Sequence, residues 1–188
     1  MTTIDVWTVG HSTHPGDAFL TLLRAHEIEQ VADVRTVPKS RRHPHFHADV
    51  LAVDLRAGGV AYEHLPRLGG WRATRPDSPN GAWRNTSFRG YADYAMSEEF
   101  AAGLAQLREL AATRRTAMMC SEALWWRCHR RLIADRLVAA GDTVCHIGSD
   151  ARSSAHRLTS FAVLGPDGQI TYPPPHGAQP AEGLLTTA

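Results

Sequence analysis

The chain has 188 residues, 43% of them apolar and 21% charged, with a formal net charge of +1. That fits one ordinary domain with enough apolar side chain for a core. It excludes a polycation, so attraction for an anionic partner has to come from local clustering. No run approaches the roughly 20 apolar residues of a bilayer span. The start, Met1-Thr-Thr-Ile-Asp-Val-Trp7, lacks the basic region and apolar run of a secretory leader. Three cysteines at irregular spacing do not make a disulfide framework. A cytoplasmic protein without a membrane partner is the expectation.

In chain order, residues 4–10 form a short apolar run ending in glycine and read as a strand. Residues 15–27 carry Phe19, Leu20, Leu22 and Leu23 at helical spacing. A second strand is expected over 30–35. A helix over 48–57 is closed by Gly58-Gly59, and a third strand follows over 60–65. Residues 91–114 read as mostly helical, with Ser97 as an N-cap. Then come a strand over 116–120, a long helix over 124–140 stopped by Gly141, and a strand over 143–147. The stretch 165–188 has no Lys or Arg and is rich in Gly, Pro and Ala. It reads as a flexible tail with a possible edge strand at 170–172, mobile beyond Pro173. The domain is therefore placed at 1–164.

Strands alternating with helices predict a three-layer α/β fold, a mostly parallel central sheet flanked by helices. Such sheets bind ligands outside the carboxyl ends of their strands. That selects the loops 10–15, 35–47, 65–89, 120–127 and 148–156.

Four groups in these loops carry polar chemistry. The first is His11-Ser12-Thr13-His14, which suits a phosphate, a metal or a substrate polar group, or else a capped turn. The second is Asp33-Val34-Arg35 with Lys39, Ser40, Arg41, Arg42 and three interleaved histidines. An acid at the end of a buried strand is costly unless paired or useful, and Arg35 is a ready partner. The third is residues 65–91, where Arg67, Arg72, Arg75, Arg84 and Arg89 face one acid, Asp77, among Trp71, Trp83, Phe88 and Tyr91. Alternating Arg and aromatic residues suit phosphates and stacked bases. The alternative is a loop that folds back with its tryptophans in the core.

The fourth group is residues 116–131. Cys120 ends an apolar strand, Glu122 follows, and a helix expected near Leu124 would stabilise a thiolate on Cys120. Trp126, Arg127, His129 and Arg130 lie beyond, and Cys128 reads as a small packing residue. No phosphate-binding or dinucleotide glycine motif is present. Cys120, Cys128 and His129 lack structural zinc spacing, so no metal or cofactor is expected from the motifs. A site joining His11 and His14 across loops with Cys120 or a nearby carboxylate is a metal arrangement left open.

Three motifs in order then resemble one family. They are T-V-G-H-S at 8–12, A-D-V-R-x-x-P-x-S-R at 32–41, and C-x-E at 120–122 with C-H-R at 128–130. This pattern resembles the domain-of-unknown-function 488 family from about Trp7 to about Thr159. The resemblance marks His11, Ser12, Asp33, Arg35, Pro38, Ser40, Arg41, Cys120, Glu122, Cys128, His129 and Arg130. It implies kinship of fold and no stated activity. Residues 31–35 and Cys120 also bear a weaker similarity to rhodanese-like domains, although Cys120 to Arg127 is longer than their cysteine-to-arginine loop.

The leading expectation is an enzyme acting on nucleic acid or nucleotides, most concretely one that cleaves an N-glycosidic bond. Glu122 and Asp33 would be its carboxylates, with His11 or His129 supplying a proton and Cys120 as a further catalytic candidate. The substrate would be held by Ser12, His14, Arg35, Ser40, Arg41, Trp71, Trp83, Arg84, Arg89, Tyr91, Trp126, Arg127 and Arg130. The alternatives are cysteine-dependent chemistry on a small anion, a metal enzyme, and a non-catalytic nucleic-acid-binding module.

Overall fold

A computed structural model of the chain describes residues 3–166 and 168–175. Five short strands form the frame: β1 (Asp5–Gly10), β2 (Gln30–Asp33), β3 (Ala61–His64), β4 (Thr116–Cys120) and β5 (Thr143–Ile147). They are parallel, and β6 (Ser153–Ala155) adds an antiparallel edge, giving the order β3-β2-β4-β1-β5-β6. β4 is buried at every residue, as a central strand covered on both faces must be.

Side-chain alternation along the strands sorts the core into two layers. Val9, Val31, Ala117 and Met119 meet α1 (Gly16–Ala25) and α2 (Ala48–Ala57) through Phe19, Leu23, Leu51 and Leu55. Val6, Ala32, Met118 and Cys120 face the other way. There they meet α3 (Thr86–Tyr94), α4 (Glu98–Thr113) and α5 (Arg130–Ala139) through Tyr91, Phe100, Leu107, Leu132 and Ile133. The expected three-layer α/β fold is what forms.

Three stretches differ from the sequence reading. The helix expected over 91–114 is two helices. Asn85 caps α3 by accepting from the Ser87 and Phe88 amides, and Ser97 caps α4 by accepting from Phe100 N. The helix expected over 124–140 begins only at Arg130, after a single 3-10 turn at Trp125–Arg127. Tertiary contacts hold residues 121–127 out of the helix. Ser121 O accepts from Ser12 N, Glu122 O accepts from the Arg130 guanidinium, and Trp125 stacks flat on His146 with ring centroids 3.9 Å apart. Finally, the stretch expected to be tail from 165 begins as part of the body. β7 (Val163–Leu164) pairs with β8 (Ile170–Thr171), and the buried Tyr172 donates to Asp135 Oδ2. The expected mobility beyond Pro173 falls mainly on 176–188, outside the described residues.

The long connection 65–85 is ordered by one acid. Buried Asp93 accepts from the Arg75 amide, the Ser78 hydroxyl and the Asn80 side chain, so the loop folds down over α3.

Candidate functional site

β1 leads into α1 on one face of the sheet, whereas its neighbour β4 leads through the 121–129 segment into α5 on the other. Chain leaving two adjacent strands in opposite directions opens a crevice at their carboxyl ends. Gly10 permits the close approach there, since a Cβ at that position would lie 2.0 Å from Glu122 O. Beside it lies a cavity of about 460 Å³. Arg35, Lys39 and Arg127 give it cationic walls, Trp71, Phe88 and Tyr91 give it aromatic ones, and Glu122 is the carboxylate among its lining residues.

Cys120, Cys128 and His129 also line this cavity. Among the described residues their ligating atoms all lie within 4.8 Å of one another. His129 Nδ1 is 3.9 Å from Cys120 Sγ and 3.7 Å from Cys128 Sγ. Its Nε2 is 2.9 Å from Val34 O, a partner that only accepts, so Nε2 carries a proton and, in the neutral imidazole, Nδ1 presents its lone pair to the sulfurs.

The two thiols differ in acidity. The hydrogen bond between them and burial push Cys120 up to about 12. Burial also works against a Cys128 thiolate, but the same hydrogen bond and the Arg130 charge bring Cys128 down to about 6. The geometry supports that direction. Arg130 Nε donates to Cys128 Sγ at 3.4 Å, and Cys128 lies just before α5. The helix start expected to activate Cys120 therefore serves Cys128, because the helix begins later than its periodicity indicates.

Asp33 and Glu122 follow neighbouring strands, β2 and β4, yet they do not meet. Asp33 is fully buried with its Oδ2 2.5 Å from Arg35 Nη2, accepts from Tyr62 OH, and does not line the cavity. It has the parity of Val31, on the sheet face opposite Cys120. Arg35 in turn reaches His11 Nε2 at 3.2 Å, while His11 Nδ1 faces Ser12 O. Burial, then the Arg35 charge, lowers His11 to about 4. With both ring nitrogens engaged on this side, His11 forms no ligand group with His14 and Cys120.

The other candidates divide in the same way. Ser40, Arg35, Arg127, Trp71 and Tyr91 line the cavity. Tyr91 is buried there with its hydroxyl on Leu68 O and its ring on His129. Ser12, His14, Arg41, Arg84, Arg89, Trp83, Trp126 and Arg130 do not line it. Trp83 is in the core between Phe88, Phe161 and Tyr172, so the folded-back loop is what forms at that position. Arg89 is spent on Trp83 O, and Trp126 points outward. Arg130 is almost completely buried beneath the site, where it braces Glu122 O, Thr8 and Cys128.

Sequence reading passed over a buried chain behind Arg130. Thr8 Oγ1 contacts His146 Nδ1, His146 Nε2 contacts His156 Nδ1, and His156 Nε2 contacts Asp135 Oδ1, each at 2.8–2.9 Å. Its members are scattered singly through the sequence, so no local pattern signals it. Cys128 did have a signal, its adjacency to His129 and Arg130.

An α/β protein with a cationic and aromatic cavity at its strand-end crevice, floored by two thiols and an imidazole, is the class defined so far. The chain belongs to the family described as Domain of unknown function DUF488, which matches residues 16–137. No curated protein and no solved structure matches it. No helix among the described residues is long and apolar enough to cross a membrane.

Proposed function

We propose that this protein is a hydrolase acting on a nucleotide, free or within nucleic acid, and that it cleaves the N-glycosidic bond in the manner of a base-excising enzyme. The observation that carries this reading is Glu122, an exposed carboxylate in a cavity that cations and aromatic rings also line. Arg35, Lys39 and Arg127 suit a phosphate. Trp71 suits a base, being exposed at the rim with its backbone in the left-handed region at φ +60°. Glu122 would stabilise an oxocarbenium-like centre or orient the attacking water. A cavity of this size admits one flipped-out nucleotide and not a duplex. Three free thiols suit the reducing cytoplasm as its compartment. Incubation with oligonucleotides carrying damaged or modified bases, then alkali and a gel, tests the reading. Strand breaks absent in Glu122→Gln support it, and no break on any substrate overturns it.

A second reading has its own observation, the raised acidity of Cys128 beside His129 and Arg130. In it, Cys128 is a nucleophile toward a small anionic substrate. Full activity in Cys128→Ala removes it.

A further inference from the structure

We propose that Cys120, Cys128 and His129 bind one zinc-class divalent cation at the floor of the cavity, leaving a fourth coordination position open to it. The proposal goes beyond the hydrolytic reading and does not depend on it.

The distances fit first. Zn–S bonds of about 2.3 Å and a Zn–N bond of about 2.05 Å at tetrahedral angles put the S···N edges near ~3.6 Å and the S···S edge near ~3.8 Å. The observed S···N edges are 3.7 and 3.9 Å, and all three donor atoms lie within 4.8 Å. The S···N edges need a contraction of a few tenths of an ångström, and the S···S edge, within 4.8 Å, at most about 1 Å. The three cysteines are all free, so no disulfide competes.

The surroundings fit as well. A metal-binding imidazole characteristically donates its other N–H to a carbonyl, and His129 Nε2 faces Val34 O at 2.9 Å, leaving Nδ1 to bind. Arg130 donates to Cys128 Sγ, which favours the thiolate that a cation requires. The space next to Nδ1 is kept clear by Gly70, where a Cβ would stand 3.2 Å from that nitrogen. Two thiolates and one imidazole are a borderline-soft set that suits zinc over magnesium or calcium.

Three protein ligands with an open position mark a catalytic zinc site, whereas structural sites are closed by four. The spacing of these residues fails the rule for structural sites because the ligands come from two elements, the end of β4 and the approach to α5. On binding, any proton that either sulfur still carries passes to solvent as the metal–sulfur bonds form. A water in the open position would have its acidity raised, and Glu122 in the same wall is placed to take its proton. This last role rests on the hydrolytic reading.

The test is metal analysis of untagged protein after incubation with zinc and gel filtration. About one equivalent per chain is expected in wild type and in Cys145→Ser, whose thiol is not in the group. Cys120→Ser and Cys128→Ser should each fall several-fold, and Gly70→Ala should fall without loss of any donor. Cobalt-loaded wild type should show thiolate-to-cobalt charge-transfer absorption that Cys128→Ser lacks. Less than about a tenth of an equivalent in wild type overturns the proposal, and so does a full equivalent retained in both Cys→Ser variants. Zinc-loaded protein that opens no oligonucleotide overturns the hydrolytic reading and leaves the ion. Metal-free protein that cuts overturns the ion's catalytic role and leaves the reading.

Discussion

The Asp33 carboxylate is clasped by the Arg35 guanidinium, with Nη2 2.5 Å and Nε 2.8 Å from its oxygens, entirely out of contact with solvent. The same guanidinium reaches His11 and Phe46 O, so the strand-end acid organises the loops beside the cavity from behind.

Asp33→Asn should therefore be a stability variant. Removing one partner of a buried pair leaves the other charge uncompensated, at a cost of about 3–5 kcal/mol. Urea unfolding measures it. A loss under about 1 kcal/mol would show that the pair does not hold the fold.

Glu122→Gln should do the reverse. The side chain is exposed, so stability should stay within about 0.5 kcal/mol of wild type. Turnover on a cleaved oligonucleotide should fall by about 10²–10⁴. Unchanged turnover would remove Glu122 from the chemistry.

In metal-free protein, iodoacetamide should label Cys128 before Cys120. Cys128 titrates at about 6 and Cys120 at about 12, so the rate at Cys128 should rise through pH 6 and level off by pH 8. Peptide mapping after brief labelling at pH 7 identifies the site. Labelling confined to Cys120 would reverse the assignment.

Acid should weaken the fold through His146, which faces Thr8, His156, the Trp125 ring and the Arg130 charge. Burial, then His156 and Arg130, lowers it to about 3 from 6.5. The unfolded chain thus takes up a proton that the folded one refuses. The contribution of neutral His146 is full above pH 6.5 and is lost as pH falls toward 3, at up to about 1.4 kcal/mol per pH unit. Denaturant unfolding at pH 7, 5.5 and 4 should show a shallower fall in His146→Gln. Equal slopes would place the acid sensitivity elsewhere.

Gly10→Ala should distort the site from behind. Its Cβ would strike Glu122 O, so the 121–123 segment must move. A loss of turnover comparable to that of Glu122→Gln is expected, together with a lowered melting temperature. Wild-type values for both would show that the close approach is dispensable.

Much of this molecule was legible in its sequence, because strands and amphipathic helices announce themselves by period. The helix over 48–57 and the strands over 116–120 and 143–147 begin and end where their apolar runs do. Alternation of strand and helix sufficed for a parallel sheet with two covered faces, and four of the five loops chosen by the strand-end rule border the cavity, all but 148–156. The motifs around Arg35, Cys120 and Cys128 also marked the family, whose match spans residues 16–137, while the motif at His11 lies before it. Three things needed the tertiary structure. The face on which Asp33 points depends on strand parity and pairing, and it separates that acid from Glu122. The start of α5 depends on Arg130 and His146 holding residues 121–127 by long-range contacts, which no helical period records. The meeting of Cys120 with Cys128 and His129 depends on a chain segment that leaves β4, crosses the end of β1 and returns. Local spacing encodes what neighbours in sequence do together, and only folding brings these three donors within reach of one ion.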